Sequence, residues 1–181
     1  MKRIALLLVV LSAVGGVVSA SGEGDGEAAP IYGVNIPLGY RVWRFISEIE
    51  VVAPLNDFRA KLGNDVAIKA FREGNLPFPD ATIIARLAWR KDTSKENSVV
   101  GRLLERGVDK AVVERLLARG WPPMNVQFMI KDSRKYASTG DWGFAQFTDN
   151  KPDDEAVHKT CFSCHESAKD RDFVFTLYAR R

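Results

Sequence analysis

The pentad Cys161-Phe162-Ser163-Cys164-His165 constrains this chain more than any other feature of its sequence. Cys-x-x-Cys-His is the pattern by which a c-type haem is attached to a protein. Two thiols three residues apart on one helical turn can form thioethers to both vinyl groups, and the adjoining imidazole then lies beneath the iron. We therefore expect one covalent haem c on Cys161 and Cys164, with His165 as the proximal iron ligand.

Three other uses of the two cysteines remain open: a disulfide, a thioredoxin-like dithiol and a zinc site. Zinc in a structural site takes four protein ligands, and outside the pentad the chain offers one histidine, His158, and no further cysteine. A redox dithiol is expected after a strand in a βαβ pattern, whereas this pentad follows the polar stretch 149–155. Both observations favour haem.

The N-terminal residues follow the pattern of a secretory signal peptide. Lys2 and Arg3 precede an apolar run over 4–14, and Val18-Ser19-Ala20 offers small residues for cleavage. The alternative is an uncleaved membrane anchor, but Gly15 and Gly16 interrupt the run. We expect a signal peptide over 1–20, cleaved after about Ala20, and a product that is soluble, free of the membrane and periplasmic, because export and c-type haem occur together there.

The charge balance argues against a nucleic-acid partner. The chain has 26 basic and 23 acidic side chains, and removal of Lys2 and Arg3 with the signal leaves 24 basic ones. No basic stripe is then available to neutralise phosphates. The apolar content of 46% excludes general disorder. We expect a flexible start over 21–36 and one domain over 37–181.

Helix-capping residues and the pattern of apolar and polar residues predict the secondary structure. Asn64 is a good N-cap for a helix that ends near Glu73, with Gly74 placed to terminate it. Residues 40–46 suit either a strand or a short helix. Alternation of apolar and polar residues predicts strands over 82–90 and 125–131, and segments bounded by Gly, Asp or Asn predict further strands over 142–147 and 173–178.

Helical spacing returns between residues 97 and 119, which predicts an insertion of one or two amphipathic helices. The connection over 133–140 is too short for the crossover that a parallel sheet needs. The expected fold class is therefore α+β: a predominantly antiparallel β-sheet with short helices and a C-terminal haem-attachment helix.

The chain resembles the cytochrome P-460 family of exported monohaem proteins. The most specific features are Phe78-Pro79-Asp80, Trp142-Gly143-Phe144 and the late position of the pentad, and further likeness lies in 55–59, 63–67, 81–89, 126–129 and 172–175. The resemblance implies an antiparallel β fold, a homodimer, and a five-coordinate haem with an open distal side. Characterised members oxidise hydroxylamine, and their relatives, the β-sheet cytochromes c-prime, bind nitric oxide.

One position departs from the family pattern. In the oxidising members a strand lysine is bonded to the porphyrin edge, and that position falls at Arg86 here. A guanidinium is a poor nucleophile because it stays protonated, which puts the cross-link and the hydroxylamine chemistry in doubt. Lys69 and Lys91 are the nearby alternatives.

The distal ligands decide between several functions. His158 lies on the proximal segment and is interpreted as a surface histidine, so Met124 and Met129 are the candidates for a sixth ligand. Arg59 and Arg86 are the candidate catalytic residues, because a guanidinium can hydrogen-bond a bound nitrogen or oxygen species or pair with a haem propionate. The alternative for both is a solvated arginine on a strand face. Possible distal caps are Phe78, Trp89, Trp142 and Phe144.

Three functional hypotheses follow. The first is a haem protein that binds or oxidises a small nitrogenous ligand such as hydroxylamine or nitric oxide and passes electrons to a redox partner protein. The second is a six-coordinate electron-transfer cytochrome c with a methionine ligand. The third is a nitric-oxide-binding protein without turnover.

Overall fold

A computed structural model of the chain describes residues 26–52, 57–90, 106–109, 111–112 and 123–178. Its centre is one six-stranded antiparallel sheet in which each strand pairs with the next along the chain. The strands are β1 (Arg44–Val52), β2 (Asp57–Gly63), β3 (Ile83–Arg90), β4 (Asn125–Lys131), β5 (Trp142–Thr148) and β6 (Lys151–Pro152). The predicted α+β fold with an antiparallel sheet is confirmed.

The helix after β2 forms where its capping residues predict it. In α1 (Asp65–Glu73), the side chain of Asn64 accepts a hydrogen bond from the backbone N–H of Ala67 at 2.9 Å, and Gly74 ends the helix at φ 69°. That left-handed conformation costs glycine little because it has no Cβ. The ambiguous segment 40–46 contains both predicted elements, a 3-10 turn over Tyr40–Val42 followed by the start of β1.

A helix near the C-terminal end of the described residues, α2 (Glu155–His165), carries the whole pentad. Asp154 caps it by accepting from the N–H of Val157 at 2.9 Å, which satisfies one of the donors that a helix start leaves open. A 3-10 segment over Glu166–Arg171 continues from its end. The predicted C-terminal helix is therefore present, and it contacts β5.

The predicted strand over 173–178 is wrong. Asp172 and Phe173 both have positive φ, 50° and 63°, and this turn directs the following residues away from the sheet edge. Residues 174–178 form no ladder. They run past α1 instead, where the ring of Tyr178 stacks on Phe71 at 6.1 Å and its hydroxyl accepts from Arg72 Nε at 3.0 Å.

The start of the packed domain also differs from the expectation. The segment 21–36 is predicted to be flexible, yet Ala29, Tyr32 and Val34 are buried in the core, and Ala29 forms a bridge with Val34. Apolar contacts with the sheet therefore order this segment from about Ala29 onward. The predicted signal peptide lies outside the described residues, as does most of the predicted helical insertion. Within the described ranges, no helix has the length and apolar character that a membrane crossing needs.

Candidate functional site

A cavity of about 440 Å³ lies between the sheet and α2, and the side chains of the pentad help to line it. It is within the size range of typical ligand sites. Cys161, Cys164 and His165 from α2 face Arg59 and Arg86 from the sheet across this space. The structure thus brings together all five residues that the sequence selects as candidate site residues.

The two cysteines are free, with Cys161 half-buried and Cys164 exposed. Burial raises the pKa of the Cys161 thiol, and the neighbouring Cys164 raises it further. A redox-active dithiol needs the opposite, a thiol whose pKa is lowered. Within the described residues, no group of three or more His, Cys, Asp and Glu side chains could hold a bare metal ion. Neither the dithiol nor the zinc interpretation gains support.

The surroundings of His165 are those that a metal-binding histidine needs. Its Nδ1 lies 2.7 Å from the backbone carbonyl of Phe173, and because a carbonyl only accepts, Nδ1 carries the proton and Nε2 keeps its lone pair. The imidazole contacts the rings of Phe144 and Phe175 at centroid distances of 4.9 and 5.0 Å. Burial lowers the pKa of His165, and the charge of Arg86 lowers it further, whereas the bond to Phe173 raises it. The neutral imidazole that iron requires is favoured.

The sheet wall of the cavity carries a polar row across four strands. Lys61, Arg86, Gln127 and Gln146 are successive cross-strand partners from β2 to β5, so they lie on one face. All four line the cavity. Arg86 donates to Asn125 Oδ1 at 3.3 Å, and Gln127 donates to Gln146, which donates to Asp153. The row supplies cationic and amide donors to the cavity.

Sequence reasoning missed Lys61. It follows Arg59 by two residues on β2, and residues two apart on a strand share a face, so the spacing alone was a usable signal. Lys69, the alternative lysine named above, is exposed on α1 and is not among the residues that line the cavity. Lys91 lies outside the described residues. Lys61 is therefore the lysine that the described part of the chain places in the site.

The two methionines occupy different environments. Met129 lines the cavity, whereas Met124 is not among the lining residues that the structure describes. Met129 is the direct cross-strand partner of Phe144, whose ring packs against His165. Met129 therefore adjoins the aromatic residue that contacts His165.

The interpretation of His158 as a surface histidine is wrong, because its side chain is 0% exposed. Its Nε2 accepts from the backbone N–H of Gln146 at 3.0 Å, and its Nδ1 lies 2.8 Å from the carbonyl of Asp154. Both ring nitrogens thus have hydrogen-bond partners, as buried polar groups generally do. His158 fastens α2 to β5 and so places the pentad over the sheet.

Of the four aromatic candidates for a distal cap, only Phe144 lines the cavity in the described structure. Phe78, Trp89 and Trp142 are buried in the hydrophobic core. A second cavity, of about 560 Å³, lies near the start of α1, but the residues lining it include no cysteine or histidine. The pentad residues Cys161, Cys164 and His165 therefore line the first cavity and not this second one.

The residues of this cavity fit a c-type haem: two free thiols, a neutral imidazole with one nitrogen available, and aromatic walls. Residues 37–176 match the family model for cytochrome P460. A search of the curated proteins gives no match. The match covers most of the 181 residues and contains the pentad, and its family implies haem binding. The chain belongs to the cytochrome P460 family.

Proposed function

We propose that the protein is an exported monohaem c-type cytochrome whose iron keeps an open sixth position, where it binds or oxidises small nitrogen species such as hydroxylamine or nitric oxide. The observation that carries this proposal is the arrangement of His165, whose Nδ1 is committed to the Phe173 carbonyl. One nitrogen is left for iron, within a cavity that also contains both thiols of the attachment motif.

The position of Met129 supports an open site. Because Met129 adjoins Phe144 on the sheet and Phe144 contacts the imidazole of His165, we expect that Met129 does not serve as the sixth ligand. The second candidate function, a six-coordinate electron carrier, rests on the fact that Met129 does line the cavity. These two functions differ in whether an added ligand can reach the iron.

Arg59, Lys61 and Arg86 support ligand binding. The residues described as lining the cavity include these three cations and no aspartate or glutamate. Charged donors make stronger hydrogen bonds than neutral ones, so they can hold a bound oxygen or nitrogen species or a haem propionate. The haem supplies the redox-active iron when bound. The side chains of this chain position the ligand and balance its charge.

Turnover would also need an external electron acceptor, since one haem stores one electron. We expect a redox partner protein and a homodimer, with export to the periplasm after cleavage near Ala20. A nitric-oxide-binding protein without turnover shares the same open site and differs only in lacking an acceptor.

Absorption spectra of the purified holoprotein test the proposal. We expect high-spin bands, rapid carbon monoxide binding by the ferrous form at neutral pH, and spectral changes on adding hydroxylamine or nitric oxide. Met129→Leu should leave the wild-type spectrum unchanged. A low-spin ferrous protein that refuses carbon monoxide until Met129 is replaced would instead establish the electron carrier.

A further inference from the structure

Lys131, at the end of β4, forms a buried ion pair that has no role in the ligand binding proposed above. Its Nζ lies 2.7 and 2.9 Å from the two carboxylate oxygens of Asp172, and the two side chains are only 4% and 9% exposed. The ammonium also donates to the carbonyl of Gly140 at 3.0 Å and lies 5.0 Å from the centre of the Trp142 ring. Asp172 Oδ2 further accepts from the N–H of Phe78 at 2.8 Å. Asp172 is thus held from several directions.

Phe173, the residue that follows Asp172, has a strained backbone conformation. Asp172 and Phe173 have φ values of 50° and 63°. A large aromatic residue rarely adopts positive φ, because its Cβ crowds the backbone. Such a conformation persists only where surrounding contacts determine it. Here the backbone N–H groups of Asp172 and Phe173 donate to Lys169 and Ala168 at 3.0 and 2.9 Å.

The ring of Phe173 is fixed as firmly as its backbone. It packs 5.6 Å from the ring of Phe162 on α2. It also lies so close to Gly140 that a Cβ built on that glycine would come within 2.1 Å of the Phe173 ring. Gly140 is the residue whose carbonyl accepts from Lys131. The ion pair and the aromatic contact therefore hold the same turn.

This turn presents the carbonyl that accepts the Nδ1 proton of His165 at 2.7 Å. We propose that the buried Lys131–Asp172 ion pair is the positioning element for the proximal ligand. It holds Phe173 in its left-handed conformation and thereby fixes the direction of the hydrogen bond to His165. A partner on the second nitrogen sets the orientation and basicity of a metal-bound imidazole. The inference concerns the proximal side, so it applies whichever ligand binds opposite.

Resonance Raman spectroscopy of the ferrous holoprotein tests the inference, because the iron–histidine stretching mode reports the strength of that bond. The double variant Lys131→Met/Asp172→Asn removes both charges together and leaves no buried ion unpaired, which avoids the large destabilisation that single removal causes. We expect the mode to move to lower wavenumber and the reduction potential to become more positive. Both shifts follow from a less basic imidazole.

Gly140→Ala is an independent variant that keeps the ion-pair residues. Its methyl group would displace the Phe173 ring, so it should shift the mode in the same direction. Asp65→Asn is the control. It breaks the Arg44–Asp65 pair, which has the same 2.7 Å distance but side chains 53% and 92% exposed, and it should leave the mode and the potential unchanged.

The wild-type protein supplies a measurement that needs no variant. The Nδ1 proton of His165 should exchange slowly with solvent by NMR, because it is held by a fixed carbonyl. An unchanged iron–histidine mode in folded double-variant protein would overturn the inference, and so would rapid exchange of the Nδ1 proton in the wild type. Either result would leave the pair with a structural role only. A protein that carries no haem at all would count against the proposed function instead.

Discussion

At the scale of single residues, alternation along the strands determines which side chains form the sheet wall of the candidate haem cavity. Arg59 and Lys61 lie two residues apart on β2, and Lys61 pairs directly with Arg86 on β3. Two cations therefore adjoin each other on the face that lines the cavity. Burial lowers the pKa of His165, and the charge of Arg86 lowers it further.

Loss of a cationic donor should weaken ligand binding. We expect Lys61→Met and Arg86→Met each to reduce the affinity of the ferric haem for hydroxylamine by roughly tenfold, since a hydrogen bond to a charged group contributes about 1.5 kcal/mol or more. Spectrophotometric titration measures the affinity. Lys69→Met is the matched control on exposed α1 and should bind as the wild type does. Equal affinities in all four proteins would remove these side chains from the ligand site.

Because position 86 is an arginine, we expect no covalent bond between a lysine and the porphyrin edge. The intact mass is then that of the mature chain plus one haem, and the tryptic peptides containing Lys61 and Lys69 are recovered unmodified. Arg86→Lys is the substitution most suited to create the bond, because an amine can lose its proton and act as a nucleophile. A haem-bearing fragment of the wild type that contains Lys61 would show that the neighbouring strand supplies the lysine instead.

At the scale of elements, one buried histidine joins α2 to β5. His158 accepts the Gln146 N–H and donates to the Asp154 carbonyl, so the helix carrying the pentad is registered against the sheet by hydrogen bonds as well as by packing. Asp154 caps the same helix. The start of α2 is thus fixed, and the two cysteines, about one and two turns beyond His158, lie at the cavity.

Replacing His158 should destabilise the protein without altering the attachment residues. We expect His158→Leu to lower the free energy of unfolding by about 2–3 kcal/mol, because the buried Gln146 N–H loses its acceptor. His158→Gln retains an acceptor and should cost less. Lys159→Ala, at the adjacent residue whose side chain is 66% exposed, should change stability by no more than about 0.5 kcal/mol. Urea unfolding monitored by circular dichroism gives the values, and equal midpoints for His158→Leu and Lys159→Ala would contradict the assigned role.

At the scale of the whole molecule, one sheet supports both the core and the cofactor site. β5 contributes Phe144 to the support of His165 and Gln146 to the anchoring of α2, while β2 and β3 contribute the facing cations. The residues after α2 then return across the cavity, where Val174 and Thr176 line it. Haem attachment should therefore join elements that are far apart in the sequence.

The haem should remain with the protein under denaturing conditions. Acid-acetone extraction is expected to leave the colour in the wild-type pellet, because thioether bonds survive loss of the fold. Cys161→Ala/Cys164→Ala should release the haem into the organic phase. Complete extraction from the wild type would show that the cysteines are not attached.

The sequence by itself determined the features that depend on neighbouring residues. The Asn64 cap and Gly74 predict the helix over 65–73, the spacing of the pentad predicts haem attachment, and alternation predicts the central strands. Each of these signals acts over a few residues. The pairing of Lys61 with Arg86, the burial of His158 and the turn at Asp172 and Phe173 were decided by the tertiary structure. Each depends on partners far along the chain: Arg86 on the next strand, the Gln146 N–H on β5, and Lys131 on β4. The strand predicted over 173–178 is wrong for the same reason, since nothing within those residues reveals the Lys131–Asp172 ion pair or the turn at Asp172 and Phe173.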